Sequence, residues 1–446
     1  MPRHGSEKGH AQVDRWFDRL TTPSPVEGPR PRACVWLGMA LGLIVLLGMA
    51  VGAEETGTLA LSADFDNGSL GEWELVAPDT VRFTLTKASG GLWFHFHIQG
   101  VKGRTITFVI PMTRALDRIV THYYDKRNRP AYSYDRKQWE LAEPGRLDRE
   151  AKTFTFQVTF RQEEAWVAYC IPYTNDTLDA LLEEHADRPH LSVRTLATTA
   201  GGRPVRWLVI GEEPDHPEPG IRHTVWIIAR ESGWEAPASW AADGFARFAL
   251  GAGEASRKFR QRLIANVVPI VSPDAVAGGW MRHPTGGDES NGSVGQVYLP
   301  MGYGKDYPEV TGLRGAVRDW MAKGNTIDLS LRFHSLGWLS TQHEFRQEQY
   351  LPGEQVEFDG LADRFHRFVP EVRWTRGHLF PGLGFVEFCY RNFQIKGGTL
   401  TLGLGAKDNQ MTQADLQDVG QALGEVLLSL YAPEPLSPGG PATTAP

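Results

Sequence analysis

Residues His223 to Leu250 read HTVWIIARESGWEAPASWAADGFARFAL, and this stretch decides the fold. Val225 to Ile228 is an apolar run rich in β-branched side chains, the pattern of a buried strand. It breaks at Glu231-Ser232-Gly233-Trp234-Glu235, and a helix is expected to follow. Pro237 falls in the first turn of that helix, where its missing N–H costs nothing. Trp240, Ala241, Phe245 and Phe248 fall on one side of it. Glu235 is therefore expected at the carboxyl end of a central strand, where open α/β sheets form their ligand crevices.

The texture differs on the two sides of this stretch. Between Leu59 and Ile171 short apolar runs dominate. Leu92, Phe94, Phe96 and Ile98 alternate with Trp93, His95, His97 and Gln99. Thr105 to Ile110, Phe154 to Phe160 and Trp166 to Ile171 are further strands between Gly, Pro, Asp and Lys turns. Residues 59–172 are thus expected to form an antiparallel β-sandwich. His95 and His97 share a face there and read as a solvated polar face before a metal pair. After Thr174 helices and strands alternate. Helices are expected at Leu178–His185, Ala255–Ile264 and Ala316–Ala322, and strands at Val205–Gly211, His223–Arg230, Val267–Val271, Thr326–Phe333 and Thr399–Leu404. Thr412-Gln413-Ala414-Asp415 opens a last helix with Leu416, Val419, Leu423, Leu427 and Leu430 on one face. The expectation for 173–431 is an α/β domain with a mixed, mostly parallel sheet flanked by helices.

A chain of 446 residues, 41% hydrophobic and 22% charged, is long enough for two cores. Its formal net charge of −7 argues against nucleic acid as a partner. Cys34, Cys170 and Cys389 cannot build a disulfide framework, and the apolar runs around the last two point to buried thiols. Residues 1–33 and 432–446 lack apolar periodicity and are expected to be disordered. Cys34 to Ala53 is uncharged over about 20 residues, enough to span a bilayer. Arg30 and Arg32 precede it and Glu54-Glu55 follow, so the remainder is expected to be exported. With Val51-Gly52-Ala53 at its end, 34–53 reads either as a cleaved signal peptide or as a membrane anchor. The expected location is then membrane-anchored, secreted or periplasmic, with a membrane contact through 34–53 if it is uncleaved.

Ala229-Arg230, Glu235, Ser239 and Trp240 stand at the spacing of A-R-x-H-P-G-E-x-x-x-S-W. In these positions the chain resembles the first zinc-binding segment of the metallocarboxypeptidases of the carboxypeptidase A type, in their cytosolic carboxypeptidase branch. The resemblance implies that the His and Glu of that pattern bind zinc; Glu235 is retained, and Ser232 replaces the His. Upstream, Leu92-Trp93-Phe94-His95-Phe96, Tyr132-Ser133 with Trp139, and Ala168-Tyr169-Cys170-Ile171-Pro172-Tyr173-Thr174 are similar to segments of the β-domain that precedes the peptidase unit in that branch.

The other family motifs follow in order. Ser272-Pro273-Asp274 through Arg282 resembles N-P-D-G-V-x-x-G-N-x-R, which implies that Arg282 is the retained oxyanion arginine. Gly286 to Asn291 stands where G-x-D-L-N-R should be, so Ser290 and Asn291 replace the Asn-Arg pair that grips a substrate's terminal carboxylate. In a register slipped by one, Asn291 recovers the Asn and Gly292 takes the arginine position. Tyr307-Pro308-Glu309 resembles the segment before the next helix. Ile327 to Ser335 resembles a strand ending in D-x-H-G, with His334 at the third zinc ligand and Arg332 in place of the aspartate. Leu400 to Asp408 keeps the frame of L-T-L-E-x-P-F-K-D, with Gly403 where the general-base Glu stands.

A zinc hydrolase needs three protein ligands, an open position for water and a carboxylate to take that water's proton. With Ser232, Asn291 and Gly403 at chemistry-bearing positions, the expectation is a catalytically impaired carboxypeptidase-like protein, a pseudoenzyme. It is expected to hold zinc weakly or not at all, and to bind peptide or protein C-termini or another ligand. The alternative is an active zinc metallocarboxypeptidase with a rearranged site built from His283, His343, Glu235 and His334. His283 and His343 read more simply as surface loop residues, and Glu235 and His334 as neighbours paired with each other or with Arg332. A triad of Ser232, His334 and an aspartate has no support in the spacing.

Overall fold

The computed structural model describes residues 58–86, 92–112, 128–211, 223–281, 307–337, 343–347, 361–370, 372–376, 384–404 and 411–431. The segments 1–33, 34–53 and 432–446 fall outside these residues, as do Arg282, His283, Ser290 and Asn291. The described residues from Leu59 onward form one compact unit.

The first part is built from short strands with apolar side chains at alternate positions. They are β1 (Ala60–Ser62), β2 (Trp73–Ala77), β3 (Thr80–Phe83), β4 (His95–Gln99), β5 (Thr105–Pro111), β6 (Ala131–Ser133), β7 (Trp139–Leu141), β8 (Arg146–Asp148), β9 (Thr153–Thr159) and β10 (Glu164–Ala168). One sheet runs β1-β4-β10-β6-β7 and the other β2-β3-β5-β9-β8. Every pairing is antiparallel except β3 with β5. Aromatic rings fill the space between the sheets: Phe96 meets Phe108 at 5.6 Å between ring centres, and Phe94 stacks on Phe156 at 5.9 Å. Such pairs add about 0.5–1.5 kcal/mol each beyond their buried area.

The expected inward set, Leu92, Phe94, Phe96 and Ile98, is buried. The reading of His95 and His97 as a solvated face fails for His95. Trp93 and His95 are buried as well, because the loop carrying Asn67 covers them. His97 alone keeps a partly open position, 3.1 Å from Glu164 and stacked on Trp166.

Asn67 joins the sandwich to the second part. Its N–H donates to Ala277 O (2.6 Å) and its Nδ2 to Val276 O (2.8 Å). Its carbonyl accepts from Trp93 Nε1, and its Oδ1 lies 3.2 Å from His95 Nδ1. Since Nδ2 serves Val276, Oδ1 must accept and the His95 proton sits on Nδ1. Burial, reinforced by the Arg136 charge, pushes the His95 imidazole down to about 3, so it stays neutral. Asn67 has φ +73°, a left-handed conformation that Asn tolerates through local hydrogen bonding. Replacing Asn67 by Ala is expected to lower stability by about 2–3 kcal/mol, because it strands two buried partners and leaves the left-handed turn uncompensated. Chemical denaturation measures this, and a loss below about 0.5 kcal/mol would show that Asn67 is not a joint.

The second part opens with α1 (Asn175–Glu184), whose capping box pairs Thr174 with Thr177. The strands β11 (Leu191–Thr198), β12 (Pro204–Ile210) and β13 (His223–Ala229) follow, then α2 (Ala236–Leu250), α3 (Glu254–Arg262), β14 (Leu263–Val268), α4 (Pro273–Ala277) and α5 (Pro308–Ala322). The described chain ends with β15 (Leu329–Gly337), β16 (His343–Gln347), α6 (Leu361–Phe368), β17 (Val372–Arg376), α7 (Phe385–Phe393), β18 (Gly397–Gly403) and α8 (Gln413–Tyr431). They form a mixed eight-stranded sheet in the order β11-β12-β14-β13-β15-β18-β16-β17. Its centre, β14-β13-β15-β18, is parallel. From β13 the chain passes to β14 on one side and then crosses to β15 on the other. That reversal makes the carboxyl end of β13 a switch point, where a crevice forms between diverging loops.

Helix α2 is buried on all sides and not along one stripe, because α8 lies against its outer face. Two glycines permit the approach: a Cβ on Gly244 would lie 2.0 Å from Gln417 O, and one on Gly420 1.8 Å from Ala241 O. The helix expected to reach Ile264 stops at Arg262, and Leu263 and Ile264 open β14. Both are apolar and suit either element; the parallel pairing with β13 decides. β11, β16, α6, β17 and α7 were not anticipated from the sequence.

Candidate functional site

The loop after β13 is held in a strained, tightly packed form. Arg230 has φ +62°, and its buried side chain curls back so that Nε and Nη2 donate to Gly233 O at 2.9 and 2.5 Å. Burial lowers its guanidinium to about 10. Gly233 has no room for a side chain, since a Cβ would lie 2.2 Å from Trp280 O and 2.7 Å from Ala275 O. Ser272 clamps the same loop, with its N–H on Arg230 O and its hydroxyl on Glu231 O. Asp274 has a separate structural task. It accepts from Thr199 Oγ1, Gly201 N and Arg203 Nη1, and so ties down the β11–β12 turn.

Glu235 sits where the sequence placed it, at the mouth of α2 beyond the central strand. It occupies the cap position, yet its carboxylate makes no capping hydrogen bond. His334 arrives from β15, the next strand in the sheet, and its Nδ1 lies 2.7 Å from Glu235 Oε1, both side chains being buried. The approach is out of line for a hydrogen bond, and neither Glu235 oxygen accepts one among the described residues. Ser232 Oγ is also buried without a hydrogen bond. The structure therefore brings Glu235 and His334 together, with Ser232 in the same loop, its carbonyl accepting from Glu235 N at 3.2 Å.

Beside them lies a pair that sequence reading missed. Arg332 Nε donates to Glu231 Oε2 in a buried ion pair. Arg332 is two residues before His334 on β15 and so shares its face. Burial pushes the Glu231 carboxyl up, Arg332 opposes that shift, and Glu235 adds to it. The cation at Arg332 was visible in the sequence; the acid that compensates it could have been sought in the adjoining motif.

Gly403 ends β18 and is fully buried, and its N–H donates to His343 Nδ1 at 3.3 Å. His343 is thus corrected from a surface loop residue to a buried residue of β16. The antiparallel pairing of β16 with β18 carries it to Gly403. A neutral imidazole that accepts at Nδ1 holds its proton on Nε2. Among the described residues no three His, Cys, Asp or Glu side chains converge as a metal group, so His343 does not join Glu235 and His334.

This donor set does not suit a catalytic zinc. Among the described residues Glu235 and His334 supply two ligands where three are needed, a neutral hydroxyl at Ser232 is a poor third, and the Arg332 guanidinium projects from the same strand face as His334.

Residues 61–170 match the cytosolic carboxypeptidase N-terminal domain. An uncharacterized protein of Zymomonas mobilis is 26% identical over 232 residues, 50% of this chain and 56% of that protein. Cytosolic carboxypeptidase 3 of Bos taurus is 25% identical over 295 residues, 60% of this chain and 29% of that protein. The chain thus spans less than two thirds of the length of these curated relatives. Among solved structures, a metallo-carboxypeptidase from Burkholderia cenocepacia superposes with a TM-score of 0.68 at 21% identity, over 83% of this chain and 98% of that one. A metallo-carboxypeptidase from Pseudomonas aeruginosa, in complex with (2-guanidinoethylmercapto)succinic acid, gives 0.65 at 20% identity, over 83% and 98%. At such identities the likeness establishes the fold.

The expected exported location, whether membrane-anchored, secreted or periplasmic, is overturned by the match of residues 61–170 to the cytosolic carboxypeptidase N-terminal domain and by the likeness to a relative named a cytosolic carboxypeptidase. Cys34 to Ala53 lies outside the described residues, and among those described no helix is long and apolar enough to cross a membrane. An uncharged run of that length is necessary for a span and does not by itself commit a segment to one.

Proposed function

From a chain that carries a cytosolic carboxypeptidase N-terminal domain and a carboxypeptidase-like fold, we propose a catalytically impaired protein that binds peptide or protein C-termini, or another ligand, without hydrolysing them. One observation carries the reading. The base position is Gly403, whose amide is engaged by the His343 ring, and among the described residues no carboxylate stands there to take a proton from water. Loss of the ligand His at Ser232 supports it, and so does the replacement of the carboxylate-gripping pair by Ser290 and Asn291.

A second reading, an active enzyme with a rearranged metal site, draws on the buried position of His343 beside Gly403. The proton held on Nε2 weighs against it, since a metal ligand must offer a lone pair. Both readings are tested on the purified protein with added zinc and peptides bearing free C-termini, followed by mass spectrometry. The expected result is no release of C-terminal residues, and less than one zinc per chain as purified. Zinc-dependent release that His334→Ala abolishes would overturn the impaired reading; its further loss in His343→Ala would establish the rearranged site. Fluorescence anisotropy with the same peptides reads binding, which is expected without turnover.

A further inference from the structure

The pocket that retains two zinc-ligand positions also contains a cation of its own. Glu231 and Arg332 form a hydrogen-bonded ion pair whose side chains are at most 5% exposed. Strand pairing sets Arg332 opposite Ile228 and Phe333 opposite Ala229, so the loop 230–235 leaves β13 just past Arg332, at the level of His334. Arg332 and His334 project from the same face of β15, and Glu231 lies within electrostatic reach of Glu235 and His334. Two buried pairs, Glu231 with Arg332 and Glu235 with His334, thus lie within electrostatic reach of one another. Buried carboxylates need a compensating cation, and Arg332 is built into the strand to provide it.

We propose that Arg332 stands in for the metal ion. Held by Glu231, its guanidinium supplies a fixed positive charge beside Glu235 and His334, the positions a divalent cation would otherwise neutralise, and it excludes such a cation by like-charge repulsion. This rests on the reading of an impaired site. It adds that the missing histidine at Ser232 is not the only barrier to metal, because restoring three donors leaves the internal cation in place.

The test titrates zinc, against a chromophoric chelator, into three variants of the full chain, with cobalt(II) absorption reporting the coordination. Ser232→His alone is expected to bind at least about 100-fold more weakly than Ser232→His combined with Glu231→Gln and Arg332→Gln. Removing both members of the ion pair leaves no buried charge without its partner, which favours retention of the fold. Ser232→His with Arg332→Lys keeps the charge and changes the shape, and is expected to bind as weakly as Ser232→His alone. One tightly held zinc per chain in Ser232→His, with the spectrum of tetrahedral cobalt, overturns the proposal, as does tight binding by the Arg332→Lys combination. The first of these outcomes is decisive even if the triple variant fails to fold. Hydrolysis by the wild-type protein, the measurement that would overturn the impaired reading, is not part of this titration, so the two failures are separate results.

Discussion

Arg332→Met is expected to cost about 3–5 kcal/mol of folding stability, the penalty for leaving one partner of a buried ion pair uncompensated. The reason is the company Glu231 keeps. Its carboxyl is buried, Glu235 lies in range to raise its energy further, and Arg332 opposes both effects more strongly than His334 does. Without the guanidinium, Glu231 must either stay charged in a low-dielectric pocket or take up a proton. Glu231→Leu should be costly for the mirror-image reason, since a guanidinium is then buried beside β13 without its acid. The combined Glu231→Leu and Arg332→Met variant should recover most of the loss, because replacing a whole buried pair by apolar groups is often neutral or stabilising. Urea denaturation of the three variants and the wild type forms a double-mutant cycle. Coupling below about 0.5 kcal/mol would mean that the pair does not act as a unit.

The second large effect concerns the attempt to restore catalysis. Ser232→His and Gly403→Glu, made singly, are expected to give no measurable release of C-terminal residues. Ser232→His completes a ligand set but leaves bound water without its carboxylate. Gly403→Glu supplies a base, worth roughly 10²–10⁴ in rate where the rest of a site is present, with no properly held metal beside it. Groups that act as a unit are non-additive, so neither change alone recovers the function. Substrate grip would also be weaker, since Asn291 cannot neutralise a terminal carboxylate as an arginine does. Gly403→Glu meets a further obstacle: the whole of β18 is buried, and His343 already occupies the Gly403 amide. The smallest combination expected to show zinc-dependent release unites Ser232→His, Gly403→Glu and removal of the Glu231–Arg332 pair. Turnover by either single variant, dependent on zinc and lost with His334→Ala, would refute this account of how the losses combine.

Much of the frame was legible before any coordinates. The apolar run Val225 to Ile228 is the central strand, and Glu235 lies beyond its carboxyl end as expected. Alternation in Leu92 to Ile98 picked out the sandwich core, and the periodic leucines after Thr412 picked out α8. Period two and period 3.6 are properties of the backbone itself, and they leave their mark on any sequence that buries one face. The motifs explain one another in space as well. Trp240 Nε1 donates to Ile171 O, and the Tyr173 ring meets Trp240 at 4.8 Å, so the end of the β-domain is packed against the start of the first site helix.

Fold class could be read from the sequence alone, as could the order of the motifs and the presence of a serine at 232 and a glycine at 403. Those depend on local patterns and on which side chain stands at a given place. The partners were decided only by the tertiary structure. Glu231 and Arg332 are 101 residues apart, Gly403 and His343 are 60 apart, and Asn67 meets Val276 across 209. No periodicity encodes such pairs. They arise because β15 lies beside β13, because β16 turns back along β18, and because a buried charge or amide must find its complement among whatever the strand order brings within reach.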